Sequence, residues 1–120
     1  DALEQVGLSE RADEKVGELS HGDKRKLELA VVLAGDPDVL LLDEPTAGVS
    51  VEETLPLVEL IQSIHQDGKA IVMVEHRMEF VVDVSDRIAV MHQGRLLMTG
   101  TPAEVMADTT VREAYLGGHR

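Results

Sequence analysis

The sequence predicts an α/β protein with a parallel sheet at its core and an antiparallel hairpin at the edge. Two short apolar runs, residues 39–42 and 70–74, stand between amphipathic helical patterns, which is the order found in parallel sheets. The turn His92-Gln93-Gly94 separates two further strand-like segments and is typical of a hairpin.

The first part of the chain has the pattern of helix and loop. A short amphipathic helix ends near Leu8, and a polar loop follows it. Ser20 then caps a longer helix, which ends at Gly35. Because the strands begin only afterwards, we expect two subdomains, residues 1–35 and residues 36–120.

The second part alternates strands and helices. The run 39–42 suits a strand that is buried on both faces. Ser50 and Glu53 have the spacing of a capping box at the start of a helix, and Pro56 either kinks this helix or marks its true start. A short helix follows the second apolar run, and Thr101-Pro102 opens a helical tail.

Composition and charge exclude several classes of protein. The 120 residues include 11 basic and 23 acidic side chains, and this formal charge of −12 disfavours binding to nucleic acid. The absence of cysteine excludes a disulfide framework and a thiolate metal site. The longest apolar stretch, residues 29–34, is far shorter than the roughly 20 residues that cross a bilayer. The chain starts inside a helical pattern without an initiator Met, so we expect it to be part of a longer protein.

Two adjacent carboxylates follow the first predicted strand. Asp43 and Glu44 lie at its carboxyl end, the edge at which open α/β sheets bind ligands. Mg²⁺ prefers such oxygen ligands together with substrate phosphates, so Asp43 is a candidate metal ligand. Glu44 points to the other face and is a candidate general base. A polar strand end without function is the alternative interpretation.

The segment Leu19-Ser20-His21-Gly22-Asp23 precedes the long helix and has the features of an anion site. Ser20 supplies a hydroxyl, Gly22 allows close approach, and the helix N-terminus offers backbone N–H donors. The alternative is an ordinary Ser N-cap beside a solvated face.

His76 is a third candidate. It follows the second apolar run and should therefore emerge at the same sheet edge as Asp43 and Glu44. A neutral imidazole there can hydrogen-bond to a phosphate or to an attacking water, although a lone histidine is often only structural.

Three motifs together resemble the second half of an ATP-binding cassette (ABC) ATPase, whose core is a parallel-sheet P-loop NTPase fold of the RecA-like kind. In chain order they are Leu19-Ser20-His21-Gly22-Asp23, Val39-Leu40-Leu41-Leu42-Asp43-Glu44-Pro45-Thr46 and Val74-Glu75-His76. The resemblance implies that the first is the signature motif and that Asp43 ends the Walker B strand. It also implies that Glu44 is the catalytic base, that His76 is the switch histidine and that residues 47–50 form the D-loop. The tail, residues 100–117, resembles that of ATPases that energise branched-chain amino-acid or urea importers.

The chain departs from the family pattern at three positions. His21 and Asp23 replace the third and fifth residues of the usual Leu-Ser-Gly-Gly-Gln signature, and Ser50 stands where the D-loop Asp is expected. Asp23 adds a negative charge near the expected γ-phosphate. Either the following Lys24-Arg25-Lys26 cluster offsets this charge, or contact with nucleotide is weaker.

The phosphate-binding loop of this family does not occur in the sequence, and neither does the glutamine loop. We therefore expect the chain to be inactive alone. For the full-length protein the resemblance implies an ATPase that uses ATP and Mg²⁺, pairs head to tail with a second ATPase subunit and drives transmembrane permease subunits. It further implies a cytoplasmic, peripheral position on the inner face of the cell membrane. Two alternatives are a non-catalytic dimerisation fragment and the cassette of a nucleic-acid-repair ATPase, which the acidic charge disfavours.

Overall fold

A computed structural model describes residues 1–116 and divides into two compact units, residues 1–80 and the residues from Val81 onward. The helices and strands follow one another in the order that the sequence predicts. They are α1 (Ala2–Gln5), α2 (His21–Ala34), β1 (Val39–Asp43), α3 (Val51–Gln66), β2 (Ala70–Val74), α4 (Met78–Val84), β3 (Ile88–His92), β4 (Arg95–Gly100), α5 (Pro102–Ala107) and α6 (Thr109–Val111). Short 3₁₀ turns at Ser9–Arg11 and Val16–Glu18 and a π-helical turn at Arg112–Leu116 complete the described chain.

Helices α2 and α3 build most of the core of the first unit. Ser20 caps α2 as predicted, because its side chain accepts a hydrogen bond from the Asp23 backbone N–H. Helix α3 runs through Pro56, so this residue does not mark the start of the helix. On α3 the apolar positions at helical spacing, Leu57, Val58, Ile61 and Ile64, are buried as expected. On α2 helical spacing predicts an apolar side of Leu27, Ala30, Val31 and Ala34, and this prediction is wrong: the buried side consists of Leu29, Ala30 and Leu33, whereas Val31 is 69% exposed.

The two apolar runs form a parallel pair of strands. Their register places Val39 opposite Ala70 and Asp43 opposite Val74, so both strands end at the same edge. The Glu44 N–H donates to the Val74 carbonyl at 2.7 Å and extends this edge by one residue. Any side chains that follow the two strands are therefore neighbours.

The expectation that β1 is buried on both faces is wrong. Leu40 is fully buried, whereas Leu41 on the other face is 77% exposed and Val39 is also exposed. On β2, Val72 and Val74 are exposed in the same way. Alternate strand residues point to opposite faces, and the described residues cover only one face of this two-stranded sheet.

The second unit is built around the predicted hairpin. Strands β3 and β4 pair antiparallel as a sheet of their own, and positive φ angles at Gln93 and Gly94 make the tight turn. Thr101 and Glu104 form a capping box at the start of α5. The core of this unit consists of Ile88, Val90, Val105 and Val111. Gly117, the last residue of the predicted tail motif, lies outside the described residues.

Among residues 1–116 no helix combines the length and the apolar character that a membrane crossing would need.

Candidate functional site

Glu44 and His76 meet at the carboxyl edge of the parallel strands. Nδ1 of His76 lies 3.1 Å from Oε1 of Glu44, within hydrogen-bond distance. Both side chains are open to solvent, with 48% of Glu44 and 68% of His76 exposed. The backbone of Glu44 has a φ angle of 48°, in the left-handed region that is unfavourable for residues other than glycine. The strand therefore turns sharply here and directs an accessible carboxylate towards the imidazole.

Glu75 lies beside this pair and is buried. Only 1% of its side chain is exposed, and it accepts hydrogen bonds from the Thr46 hydroxyl at 2.7 Å and the Thr46 N–H at 3.1 Å. Its other oxygen accepts from the His76 N–H at 3.1 Å. Glu75 thus joins the turn after Glu44 to the backbone of His76. Sequence reasoning missed this role, although an acidic residue directly after the second apolar run was the available signal.

Asp43 ends β1 with its residue exposed at the same edge. Within residues 1–116 no three acidic or histidine side chains come together as a closed metal cage. Mg²⁺ is commonly held by one or two carboxylates, with water and substrate phosphates as its remaining ligands. An open carboxylate such as that of Asp43 fits this mode of binding.

The segment from Leu19 to Asp23 forms a second cluster around the N-terminus of α2. Ser20 Oγ donates to Oε2 of Glu53 at 2.6 Å while it accepts from the Asp23 N–H at 3.1 Å. Gly22 is buried against the same carboxylate, since a Cβ on Gly22 would lie 2.1 Å from Oε2 of Glu53. His21 is exposed, and its ring lies beside Gly48.

The environment of Glu53 favours its charged form. The hydrogen bond from the Ser20 hydroxyl is the largest cause that lowers the pKa of Glu53 below its ordinary value. Burial is the second-largest effect and opposes it, while the Ser50 hydroxyl, the Gly22 backbone N–H and the charge of His21 each lower this pKa by a lesser amount. Only one of the two hydrogen bonds of the predicted capping box forms, the one in which Ser50 Oγ accepts from the Glu53 N–H. The Glu53 carboxylate accepts from the hydroxyls of Ser20 and Ser50.

The basic residues near Asp23 have different partners. Lys26 Nζ lies 3.9 Å from the Asp23 carboxylate, and Arg11, from the preceding loop, lies 3.5 Å from it. Arg25 instead donates two hydrogen bonds to the Ala47 carbonyl, at 2.9 and 3.1 Å, and pairs with Glu28. Of the three clustered cations, Lys26 is the one paired with Asp23. The roles of Arg11 and Arg25 were not evident from the sequence.

The predicted residues therefore occupy two clusters that the turn at residues 46–47 connects. Asp43, Glu44 and His76 form the first cluster, in which Glu75 binds Thr46. The segment from Leu19 to Asp23 forms the second, in which Arg25 binds Ala47. This turn is thus bound on one side by the residue before His76 and on the other by the helix that follows Ser20.

Fold and motifs together are those of an α/β ATP-binding cassette. An "ABC transporter" family model matches residues 1–47, and a model for the branched-chain amino acid ATP-binding cassette transporter matches residues 95–120. The chain belongs to the ABC transporter ATP-binding family.

Curated relatives include transport ATP-binding proteins of two kinds. The chain is 42% identical over 116 residues to the high-affinity branched-chain amino acid transport ATP-binding protein LivG of Salmonella typhimurium, an alignment that covers 96% of the chain and 46% of LivG. It is 39% identical to the energy-coupling factor transporter ATP-binding protein EcfA2 of Lactococcus lactis subsp. cremoris, over 94% of the chain and 40% of that protein. The chain thus spans about half the length of the relatives that it matches.

Solved structures of ATP-binding cassettes have the same fold. A nucleotide-free cassette from an ABC transporter superposes with a TM-score of 0.88 at 29% identity, covering 97% of this chain and 47% of that one. The ADP conformation of MJ1267, also a cassette of an ABC transporter, matches with a TM-score of 0.88 at 30% identity over the same shares. The predicted fold class and family are therefore confirmed.

Proposed function

We propose that this chain functions within an ATP-hydrolysing subunit of an ABC importer, in which Glu44 is the general base. The observation that carries the proposal is the hydrogen-bonded pair of Glu44 and His76 at the end of β1. An exposed carboxylate at this edge can accept a proton from a water molecule, and the imidazole fixes its orientation. Family membership supports the γ-phosphate of ATP as the target of that water.

The remaining site residues have supporting roles in this proposal. Asp43 holds the water shell of Mg²⁺, which when bound neutralises charge on the phosphates. Ser20, Gly22 and the first N–H groups of α2 offer donors to a terminal phosphate, and Leu19, His21 and Asp23 complete the segment that faces the nucleotide. We assign residues 1–35 to a helical subdomain and residues 36–120 to the catalytic core.

The partners follow from the family and not from a contact in this chain. We propose a head-to-tail dimer, in which the segment from Leu19 to Asp23 faces ATP that is held by a second ATPase subunit. The dimer would act on transmembrane permease subunits from the cytoplasmic face of the cell membrane. The LivG relative is named for branched-chain amino acid transport, which supports a substrate of that class.

We further propose that residues 1–120 alone do not hydrolyse ATP. A phosphate-binding loop supplies the lysine and the backbone N–H groups that hold the β- and γ-phosphates, and the sequence contains no Gly-x-x-x-x-Gly-Lys-Ser/Thr. Turnover therefore belongs to the complete ATPase that contains this chain.

The substitution Glu44→Gln in that complete ATPase tests the assignment. Loss of the general base is expected to lower kcat by about 10²- to 10⁴-fold, since a glutamine of the same size cannot accept the proton. Steady-state phosphate release at saturating MgATP is the measurement. Glu59→Gln, which removes an exposed charge from α3, is the matched control and should leave kcat within about twofold. A Glu44→Gln variant with near-normal turnover would sink the assignment.

A further inference from the structure

The carboxylate of Glu53 occupies the donors at the N-terminus of α2. Its Oε2 accepts the Ser20 hydroxyl at 2.6 Å, and the carboxylate lies directly against the backbone of Gly22. The close approach depends on Gly22, because a Cβ there would lie 2.1 Å from Oε2 and 2.6 Å from the carboxyl carbon. An internal anion thus occupies a position at which a helix of 14 residues favours negative charge.

A phosphate oxygen would need the same donors. The Ser20 hydroxyl has a single hydrogen, which is directed at Glu53, and Ser20 Oγ already accepts from the Asp23 N–H. Ser20 can therefore donate to a phosphate only after its bond to Glu53 is broken. A carboxylate that stays in place would also repel the incoming negative charge.

We propose that Glu53 is an internal competitor for the terminal phosphate, which gains Ser20 and the α2 N-terminus only when Glu53 releases them. This inference rests on the proposed ATPase function and adds a residue that sets the affinity of the signature segment for nucleotide. Glu53 acts through Ser20 and is a positioning residue, not a catalytic one.

Ser50 provides the partner that Glu53 keeps after release. Its hydroxyl lies 3.2 Å from Oε1 of Glu53 and accepts from the Glu53 N–H at 3.3 Å. The family pattern has Asp at this position, and a carboxylate there would repel Glu53 instead of donating to it. Ser50 therefore allows the Glu53 carboxylate to remain hydrogen-bonded at the start of α3 while it leaves α2.

The substitution Glu53→Gln in the complete ATPase tests the competition. The amide has nearly the same size but no charge, and it accepts a weaker hydrogen bond from Ser20. We expect KM for MgATP to fall by about three- to tenfold with kcat within about twofold of wild type. Glu52→Gln, which removes an exposed charge one residue earlier on α3, is the matched control and should leave KM unchanged.

A second variant separates competition from a general effect on folding. In a Ser20→Ala background the hydroxyl is no longer contested, so Glu53→Gln should lower KM by a clearly smaller factor than in the wild type. An unchanged or raised KM in the single variant Glu53→Gln overturns the proposal, as does an equal decrease in both backgrounds. Because Glu44→Gln tests the ATPase assignment separately through kcat, either idea can fail while the other stands.

Discussion

Glu44 and Glu75 show how one sheet edge gives two glutamates opposite environments. Each is the first residue after a parallel strand, and the register of β1 and β2 makes them neighbours. Glu44 is half exposed and contacts an imidazole, whereas Glu75 is buried and fully hydrogen-bonded. A buried carboxylate without such partners would be costly, so Glu75 contributes positional order, whereas Glu44 stays accessible, as its proposed role of general base requires.

Removal of Glu75 should therefore destabilise the protein. Glu75→Ala leaves the Thr46 hydroxyl, the Thr46 N–H and the His76 N–H without their acceptor. We expect the free energy of unfolding to fall by about 2–4 kcal/mol, because an unsatisfied buried donor costs about 1–3 kcal/mol. The urea midpoint at unchanged m-value is the measurement.

Glu79→Ala is the matched control, because this residue is an exposed glutamate on α4 and its loss should change stability by less than about 0.5 kcal/mol. If Glu75→Ala shifts the urea midpoint no more than Glu79→Ala does, the buried hydrogen bonds do not have the role assigned to them.

At the scale of elements, Pro56 is unfavourable for the helix that contains it. It is exposed in the interior of α3, which runs from Val51 to Gln66. Proline has no N–H to donate to the carbonyl four residues earlier, and its ring crowds that carbonyl. The long apolar side of α3, with four buried residues, maintains the helix despite this cost.

Pro56→Ala should stabilise the protein by restoring this hydrogen bond. We expect the free energy of unfolding to rise by about 1–3 kcal/mol, the range by which proline is less favourable than alanine inside a helix. Thermal unfolding followed by circular dichroism measures the change. Glu59→Ala, at another exposed position of α3, should have little effect. A melting temperature for Pro56→Ala at or below that of the control would show that the helix is already adjusted to proline.

Local patterns predicted the elements well because their signals lie within a few residues. The caps at Ser20 and Thr101 and the Gln93-Gly94 turn involve only residues close in sequence. The Ser20–Glu53 hydrogen bond joins residues 33 positions apart, and the Arg25–Ala47 bonds span 22 positions. No local pattern contains such pairs. Exposure of Leu41 was also not predictable, because an apolar run does not reveal how many layers cover a sheet.

For the molecule as a whole, acid has two opposite effects on the stability of the folded state, one through the net charge of −12 and one through three particular carboxylates. Protonation reduces the general repulsion among acidic groups and favours the compact state. Three carboxylates have hydrogen bonds that lower their pKa values: Asp36 with Lys69, Glu53 with Ser20, and Glu104 with the backbone of Thr101. Protonation of these three in the folded state breaks contacts that stabilise it.

The sign of this effect follows from proton linkage. A folded pKa below the unfolded value means that the unfolded chain binds more protons, so stability falls as pH falls. The contribution of these carboxylates is fully present above their ordinary pKa values of 3.8 for Asp36 and 4.5 for the two glutamates. It is lost as pH falls through the lower, folded values.

The triple variant Asp36→Asn, Glu53→Gln, Glu104→Gln separates this effect from the general charge. At neutral pH it should melt below the wild type, because amides accept weaker hydrogen bonds from Lys69, Ser20 and Thr101 than carboxylates do. The difference in melting temperature should shrink as pH falls below about 4.5, since wild-type protonation makes the two proteins alike. Melting curves of both proteins between pH 7 and pH 3 measure this difference directly. The remaining charges are common to both proteins, so their effect on the difference in melting temperature largely cancels. A difference that stays constant or widens in acid would mean that the three hydrogen bonds do not favour the ionised carboxylates.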